Sequence, residues 1–284
     1  MSTLNHMRTF VLIAALTGLF VLAGHAMGGK NGAMLALVMA VVMNFGAYWF
    51  SDRMVLSAYN AVEVGEREAP ELYNIVAELA RRGNMPMPRV YIIQDDSPNA
   101  FATGRNPENA AVAATTGILR ILNRQELTGV MAHELAHVKH RDILTGTIAA
   151  TIAGAVTSLA QFGALFGSSR DEEEGGGGGG LVGILMMILA PIAAMLIQMA
   201  ISRGREYEAD AEGARLAGNP LWLSSALRKL EMGSQQIPFY NAEAHPASSH
   251  LFIVNPLSGA TLASLFSTHP PMHERIQRLE TMRS

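Results

Sequence analysis

The chain has 284 residues, a net charge of −3 and no cysteine, and 16% of its residues are charged. Soluble domains carry about a quarter of such residues, and the mean hydropathy of +0.20 is correspondingly high. This balance excludes the basic surface of a nucleic-acid-binding protein and any disulfide framework, and it indicates a protein that lies partly in a membrane.

Four apolar blocks account for the low charge. They contain no Asp, Glu, Lys or Arg, and each is about 20 residues long, the length of a helix that crosses a bilayer. The blocks are residues 10–27, 33–50, 144–166 and 181–201. The first two are separated only by 28–32, so we expect a tight hairpin of two spanning helices rather than a cleaved signal peptide.

The basic residues predict how these helices are oriented. One side of the blocks carries most of the flanking arginine and lysine residues, namely Arg8, Arg53, Lys139, Arg141, Arg203 and Arg205. The other side carries Lys30 and Arg170, and an acidic run and the glycines 175–180 follow Arg170. We expect this glycine run to be a flexible turn. The positive-inside rule then places both termini, and the segment between the second and third blocks, in the cytoplasm.

The segments outside the blocks have the periodicity of a mixed domain with a small sheet. The elements predicted in chain order are a helix over 69–82, strands over 89–94, 99–103 and 110–115, and helices over 203–216, 221–232 and 272–281. Asn123 followed by Glu126 predicts a capping box at the start of a further helix. Residues 233–267 have few periodic signals and predict a long loop.

That further helix carries the motif His133-Glu134-Leu135-Ala136-His137. Two histidines four positions apart share a helical face, so both imidazoles can reach one metal ion. Glu134 can hold a water beside that ion as a general base. Chance alone would supply this short pattern in on the order of 1 chain in 100 of this length. The motif therefore suggests a zinc hydrolase without proving one.

A third ligand is needed to complete a tetrahedral zinc site with one open position. Glu206 and Asp210 follow the fourth block and are four positions apart on one helical face. Glu206 could bind zinc, and Asp210 could accept the free N–H of a ligating histidine. The alternative is an acidic, solvated helix face on which Arg203 and Arg205 form surface ion pairs.

The combination of these motifs resembles the M48 family of membrane zinc metallopeptidases. The histidine motif is followed by a spanning hairpin and then by Ser-Arg-Gly-Arg-Glu-Tyr-Glu-Ala-Asp at 202–210. The likeness covers essentially the whole chain. It implies one Zn²⁺ ion bound by His133, His137 and Glu206, with Glu134 as the general base and Asp210 supporting a ligating histidine.

The resemblance also implies a mainly α fold with a small β-sheet. It predicts four transmembrane helices and a cytoplasmic zincin-like metallopeptidase domain that the second helical hairpin splits. The predicted parts are an N-terminal transmembrane hairpin (1–53), the first part of the catalytic domain (54–142), a second transmembrane hairpin with an acidic, glycine-rich external loop (143–202), and the second part of the catalytic domain (203–284).

Two further segments resemble family features. The first is an edge strand, at which Asn99, Ala100, Phe101 and Ala102 would contact an extended peptide substrate through the backbone. The second is His269-Pro270-Pro271, whose histidine would lie near the scissile carbonyl. The alternative is that the two prolines only start the last helix and Asn99 only caps a turn. His140 is expected to be an interfacial or supporting residue.

The predicted function is zinc-dependent endopeptidase activity at the cytoplasmic face of a bacterial inner membrane. The resemblance implies unfolded polypeptides and misfolded or damaged membrane proteins as substrates, a role in quality control and the stress response, and self-cleavage. Two alternatives are a non-catalytic four-helix membrane scaffold or channel with a structural metal, and a CAAX prenyl endopeptidase. The four predicted spans are few for the larger membrane chamber of the CAAX branch.

Overall fold

The structure is a computed structural model that describes residues 2–144, 203–236, 251–253 and 270–282. Within these ranges the chain forms seven α-helices and one four-stranded sheet. The helices are α1 (Ser2–Ala58), α2 (Pro70–Arg82), α3 (Thr116–Ile121), α4 (Arg124–His140), α5 (Arg203–Ala217), α6 (Pro220–Gln236) and α7 (Met272–Thr281). The strands are β1 (Val62–Glu63), β2 (Arg89–Ile93), β3 (Ala100–Gly104) and β4 (Ala110–Thr115).

Several predictions fall wholly or partly outside the described residues. They concern the fourth apolar block, all of the third except Leu144, the acidic and glycine-rich loop, His269 and most of the long loop. The division into four parts, with a second hairpin at 143–202, therefore stays a prediction. What is observed is a mainly helical chain with a small mixed sheet.

Helix α1 reverses direction near its middle. Gly28 and Gly29 have non-helical backbone angles, and the φ of +57° at Gly29 is one that glycine adopts without strain. Asn44 Nδ2 donates a hydrogen bond to Thr17 Oγ1 at 2.9 Å although the two residues are 27 positions apart. A straight helix would separate them by about 40 Å. The two halves of α1 therefore form the tight hairpin that the sequence predicts.

The second half of this hairpin is apolar on its surface. Among the described residues, one helical stretch is long and apolar enough to cross a bilayer, namely Gly28–Phe50 with a mean hydropathy of 1.8. Only 6% of that stretch is buried inside the protein. An apolar surface of this size is unfavourable in water, and a bilayer would bury it. The other three predicted spans stay predictions.

The sheet has the strand order β1-β2-β4-β3. Strands β2 and β4 are parallel neighbours in the centre, whereas β1 and β3 pair antiparallel at the two edges. The three predicted strands are confirmed to within one residue at each end. The sequence analysis missed β1 and α3, because two residues and six residues are too short to show a period.

Helix α4 lies at the centre of the domain. The predicted capping box is present at its start, because Asn123 Oδ1 accepts from the Glu126 backbone N–H and Glu126 Oε2 accepts from that of Asn123. The helix packs against α2, α5, α6 and β3. Most of its residues are therefore buried, including its polar His133 and Glu134.

Two glycines let neighbouring helices approach the backbone of α4. A Cβ atom on Gly129 would lie 2.6 Å from the backbone nitrogen of Leu223 in α6. A Cβ atom on Gly213 of α5 would lie 2.9 Å from the Cα and N atoms of His133. Real side chains do not approach that closely, so these contacts require glycine. The Gly213 contact brings α5 directly against the histidine motif.

Candidate metal centre

The two motif histidines point toward one another from a single face of α4. His133 Nε2 and His137 Nε2 are 3.1 Å apart, and the ring planes are nearly perpendicular at 89°. This follows from helix geometry, since residues four positions apart lie one above the other.

Glu206 reaches the same point from α5. Its Oε2 atom is 3.7 Å from His133 Nε2, and its Oε1 atom is 3.6 Å from His137 Nε2. The three side chains each offer one ligand atom within 4.8 Å of the others. Ligands of a tetrahedral zinc ion lie about 2.1 Å from the metal and so about 3.4 Å from one another. The separations and the donor set of two imidazoles and one carboxylate therefore fit a zinc ion.

The Nδ1 atom of His133, which faces away from His137, contacts residues from the second half of the domain. His133 Nδ1 lies 2.9 Å from Asp210 Oδ1. Asp210 in turn accepts two hydrogen bonds from Arg275 of α7, at 2.9 Å from Nε and 2.7 Å from Nη2. Arg275 also donates to the backbone carbonyl of Ile253 at 3.3 Å. Three separate segments thus converge on one histidine.

The Nδ1 atom of His137 contacts a residue that is close to it in the sequence. His137 Nδ1 lies 3.1 Å from Asp142 Oδ2. Helix α4 ends at His140, and the capping residue Arg141 adopts the left-handed conformation with φ of 60°. That turn directs the next residue, Asp142, back along the helix to His137. The sequence analysis gave Asp142 no role.

Burial and nearby charges determine the protonation states of His133 and Asp210. Burial lowers the pKa of His133, and the charge of Arg275 lowers it further against the opposing hydrogen bond to Asp210. Burial alone would raise the pKa of Asp210, but the charge and hydrogen bonds of Arg275 hold it at about 2. The result is an ionised aspartate beside an imidazole whose neutral form is favoured. That is the form in which histidine binds metals.

Carboxylates dominate the other side of the cluster. Burial by itself lowers the pKa of His137, but Asp142, Glu206 and Glu134 together raise it to about 10. Burial raises the pKa of Glu134 to about 8, and the charge of Glu206 adds to this rise. So many carboxylates around one point favour a cation there.

Glu134 faces the edge strand. Its side chain is 2% exposed at the residue level, and its carboxylate accepts a hydrogen bond from the backbone N–H of Ala102 in β3. This contact puts the predicted base beside the strand predicted to hold a substrate. The carboxylate also lies near His137 and Glu206, whose charges act on it, so it belongs to the same cluster.

The other predicted contact residues are distributed around β3. The Asn99 side chain turns back on its own strand, where Oδ1 accepts from the Ala100 N–H at 3.1 Å. The Ala100 carbonyl already accepts from the Ile253 N–H at 3.1 Å. The Phe101 side chain is fully buried in an aromatic cluster with Tyr59 and Phe252. Ala102 is bonded to Glu134 through its backbone N–H.

Comparison with known proteins identifies the family. A sequence profile described as peptidase family M48 matches residues 66–283. The chain belongs to peptidase family M48. It is also 58% identical over 278 residues to a protease HtpX homolog of Ralstonia pickettii, covering 98% of this chain and 96% of that one. A protease HtpX homolog of Methylibium petroleiphilum is 56% identical, covering 98% of both chains.

The fold also has a counterpart among solved structures. The crystal structure of S. mikatae Ste24p matches 98% of this chain with a TM-score of 0.54 at 18% identity. The match spans 66% of the Ste24p chain, so this protein corresponds to part of the larger one. At that identity the likeness concerns the fold alone. The family membership makes this protein a metalloprotease, as the sequence analysis predicts.

Three residues of the site carry signals that the sequence analysis left unused. Asp142 lies five positions after His137, within reach once the helix ends in a reversing turn. Arg275 lies six positions after His269, in the predicted helix 272–281. Gly213 is a glycine in the interior of a predicted helix, which often marks a close packing contact.

Proposed function

We propose that this protein is a membrane-embedded zinc endopeptidase in which His133, His137 and Glu206 hold the metal and Glu134 is the general base. The observation that carries the proposal is the convergence of the three ligand side chains from two distant segments, with the buried Glu134 close enough to feel the charges of His137 and Glu206. The family membership and the separations between ligand atoms support zinc as the metal, one ion per chain.

The surrounding carboxylates would fix the orientation of both ligating histidines. Asp210 and Asp142 each lie against an Nδ1 atom. A histidine that donates its Nδ1–H to a carboxylate keeps the lone pair of Nε2 directed at the metal position. Both Nε2 atoms face Glu206, as this tautomer requires. These two aspartates therefore raise the affinity for the metal without binding it.

Bound zinc supplies a Lewis acid that lowers the pKa of a water and polarises the substrate carbonyl. Glu134 takes the proton from the attacking water and passes it to the leaving amine. Its burial favours proton acceptance, because the neutral acid is less costly to bury than the carboxylate. The hydrogen bond from Ala102 keeps its side chain turned toward the edge strand.

The substrate would be an extended peptide paired with β3. The Asn99 carbonyl accepts from Thr115, so alternate residues from Asn99 onward pair with β4 and the intervening ones face outward. The carbonyl of Ala100 is already taken by Ile253. Because Glu134 holds the Ala102 N–H, pairing would begin at the Ala102 carbonyl and continue toward Gly104. Small side chains there impose little sequence choice, and only unfolded segments offer an extended backbone.

We assign the enzyme to the bacterial inner membrane, with the catalytic domain and both termini in the cytoplasm. The exposed apolar helix Gly28–Phe50 and the distribution of basic residues support this orientation. Substrates at that face would be damaged or misfolded membrane proteins and unfolded polypeptides, including other copies of the enzyme. Such a role is membrane-protein quality control under stress.

The variant Glu134→Gln tests the catalytic assignment. It keeps the side-chain shape but cannot accept a proton, so we expect the rate of casein cleavage to fall about 10²–10⁴-fold with zinc still bound near one per chain. The matched control is Glu208→Gln, on the exposed face of α5. Cleavage of unfolded casein by the reconstituted enzyme and zinc content are measured together.

The outcomes separate this proposal from a scaffold or channel. Wild-type cleavage that a zinc chelator abolishes, together with loss of zinc in His137→Ala, supports the peptidase. Cleavage by Glu134→Gln at the wild-type rate would contradict the role of Glu134. Zinc-loaded wild-type protein that cuts neither casein nor a denatured membrane protein would favour the scaffold.

A further inference from the structure

A cleft of about 720 Å³ lies where the end of α1 meets the sheet. Its walls are the last turns of α1, the start of β2 and the turn between β3 and β4. None of the four proposed catalytic and metal-binding residues lines it. Its volume falls within the range of about 300–1,000 Å³ that is typical of small-molecule sites.

One wall of the cleft is apolar and aromatic. Phe45, Trp49 and Phe50 line it with exposed fractions of 61%, 42% and 50%. They form the end of the apolar stretch Gly28–Phe50, directly before Asp52 and Arg53. Tryptophan at the end of a spanning helix typically lies at the level of the lipid headgroups. The cleft therefore lies at that depth if Gly28–Phe50 spans the bilayer.

Arginine side chains also line the cleft. The Arg105 guanidinium lies 4.6 Å from the centre of the Trp49 ring and donates to Asn109 Oδ1 at 3.0 Å. Arg53 is exposed, and it has no ion-pair partner in the part of the chain that the structure describes. Arg89 differs from both, because Asp52 neutralises it at 2.6 Å.

The charges of the cleft favour an anion. Once Arg89 and Asp52 are paired, Arg53 and Arg105 face one remaining carboxylate, the exposed Glu108. A guanidinium presents its N–H groups in a planar fork that matches the oxygen atoms of a phosphate. Arg105 uses one of these groups on Asn109, so others are left to bind a ligand. A phosphate next to an aromatic wall is the chemistry of a phospholipid at the membrane surface.

We propose that this cleft binds the phosphodiester headgroup of one anionic phospholipid of the cytoplasmic leaflet, between Arg53 and Arg105. The acyl chains run along Phe45 and Phe50 toward the apolar part of α1. This site rests on the proposed membrane location and is independent of the peptidase chemistry. It selects anionic lipid and fixes the edge of the sheet, at the β3–β4 turn, against the membrane.

Fluorescence of Trp49 tests the site directly. The chain has two tryptophans, so Trp222→Phe leaves Trp49 as the only one. This full-length variant is reconstituted into phosphatidylcholine vesicles that contain increasing fractions of dibrominated phosphatidylglycerol or dibrominated phosphatidylcholine. Bromine quenches tryptophan on contact. We expect half-maximal quenching at a several-fold lower fraction of the brominated anionic lipid.

Substitution of the arginines separates the site from general attraction to the membrane. Arg53→Gln and Arg105→Gln should each raise the half-quenching fraction of brominated phosphatidylglycerol about fivefold. Because Arg53 has no described partner, its replacement leaves the fold intact. The matched control is Arg124→Gln, an exposed arginine that does not line the cleft, and it should change nothing.

Three other outcomes would overturn the proposal. Equal quenching by the two brominated lipids excludes selection of the headgroup. Displacement of brominated phosphatidylglycerol by millimolar inorganic phosphate or glycerol 3-phosphate identifies a site for free phosphate instead of lipid. Protein that fails to float with the vesicles contradicts the membrane location as well, whereas vesicle-bound protein without lipid selectivity contradicts this site alone.

Discussion

The two motif histidines belong to one short sequence pattern, but different parts of the chain hold them. His137 is oriented by Asp142, five positions away in the turn that ends its own helix. His133 is oriented by Asp210 of α5, which is itself held by Arg275 of α7. Their side chains are 17% and 1% exposed, respectively. One half of the site is therefore local and near the surface, and the other is long-range and buried.

The two histidines therefore depend on different parts of the fold for their orientation. A partly exposed histidine with a local partner keeps its orientation whenever its helix is formed. A histidine with a distant, buried partner keeps it only when the helices of the second half are packed correctly. The orientation of His133 should therefore depend on correct assembly of the domain, whereas that of His137 should not.

The largest effect is expected for Asp210→Asn. The substitution removes the nearest carboxylate from the buried Arg275 and leaves Glu206, at 3.8 Å, as its weaker partner. The poorly compensated charge should lower the free energy of unfolding by up to about 3–5 kcal/mol. Weaker support of His133 should lower zinc affinity about 10–100-fold. Denaturant unfolding in detergent and zinc titration measure the two quantities.

A second variant distinguishes the lost partner from other damage. Adding Arg275→Met to Asp210→Asn removes the charge that Asp210 no longer neutralises, so stability should recover while zinc affinity stays low. Unfolding of Asp210→Asn at the wild-type denaturant concentration would contradict the claim that the buried Asp210–Arg275 pair stabilises the domain around His133.

A smaller effect is expected for Gly213→Ala. The new methyl group would meet the His133 backbone at 2.9 Å and push α5, with Glu206 and Asp210, away from α4. Overpacking of this kind lowers the free energy of unfolding by about 1–3 kcal/mol. Displacement of a catalytic group by about 1 Å can slow turnover by as much as about 10²-fold. Casein cleavage and thermal unfolding are the measurements.

The matched control is Gly204→Ala, at an exposed glycine of the same helix. It should preserve or slightly raise stability, because alanine favours a helix more than glycine does. Equal effects of the two substitutions would mean that the approach of α5 to His133 does not matter.

The next prediction concerns the local half of the site. Asp142→Asn keeps an oxygen for the His137 Nδ1–H and leaves no buried arginine unpaired. Zinc affinity should fall about tenfold, at the low end of the range for such supporting carboxylates, with little change in unfolding. A loss of stability as large as that of Asp210→Asn would show that the two halves are equally dependent on packing.

The smallest effect is expected for the surface ion pairs of Glu212, which connect α5 to Lys139 of α4. Hydrogen bonds from Arg215 hold the pKa of Glu212 at about 2, with Lys139 contributing at 2.7 Å. Because this folded-state pKa lies below the unfolded value of 4.5, the stabilisation is complete above about pH 5 and is lost as the pH falls toward about 2.

The measurement is the difference in thermal midpoint between wild type and Glu212→Gln. It should be small but positive at pH 7 and should shrink steadily at lower pH. Glu208→Gln, on the exposed face of the same helix, serves as the control. A difference that grows on acidification would have the wrong sign for this linkage.

Much of the fold follows from local pattern. The strands, the capping box of α4 and the hairpin turn at Gly28 and Gly29 depend on neighbouring residues, so periodicity and turn residues predicted them. The spacing within the histidine motif likewise predicts that His133 and His137 share a helical face. The burial of Phe101 shows what local pattern leaves out. Its contact with substrate through the backbone stays a prediction, whereas the enclosure of its side chain by Tyr59 and Phe252 depends on tertiary packing.

The sequence by itself determined the chemistry that this protein can perform. Two histidines one helical turn apart, a glutamate between them and a second acidic pair are fixed by spacing along the chain, and helix geometry converts that spacing into a shared face. Only the tertiary structure decided that Glu206 meets the histidines, that Asp210 is tied to Arg275, and that Gly213 admits α5 to the backbone of α4. Those contacts join segments far apart in the chain, and packing rather than local propensity brings such segments together.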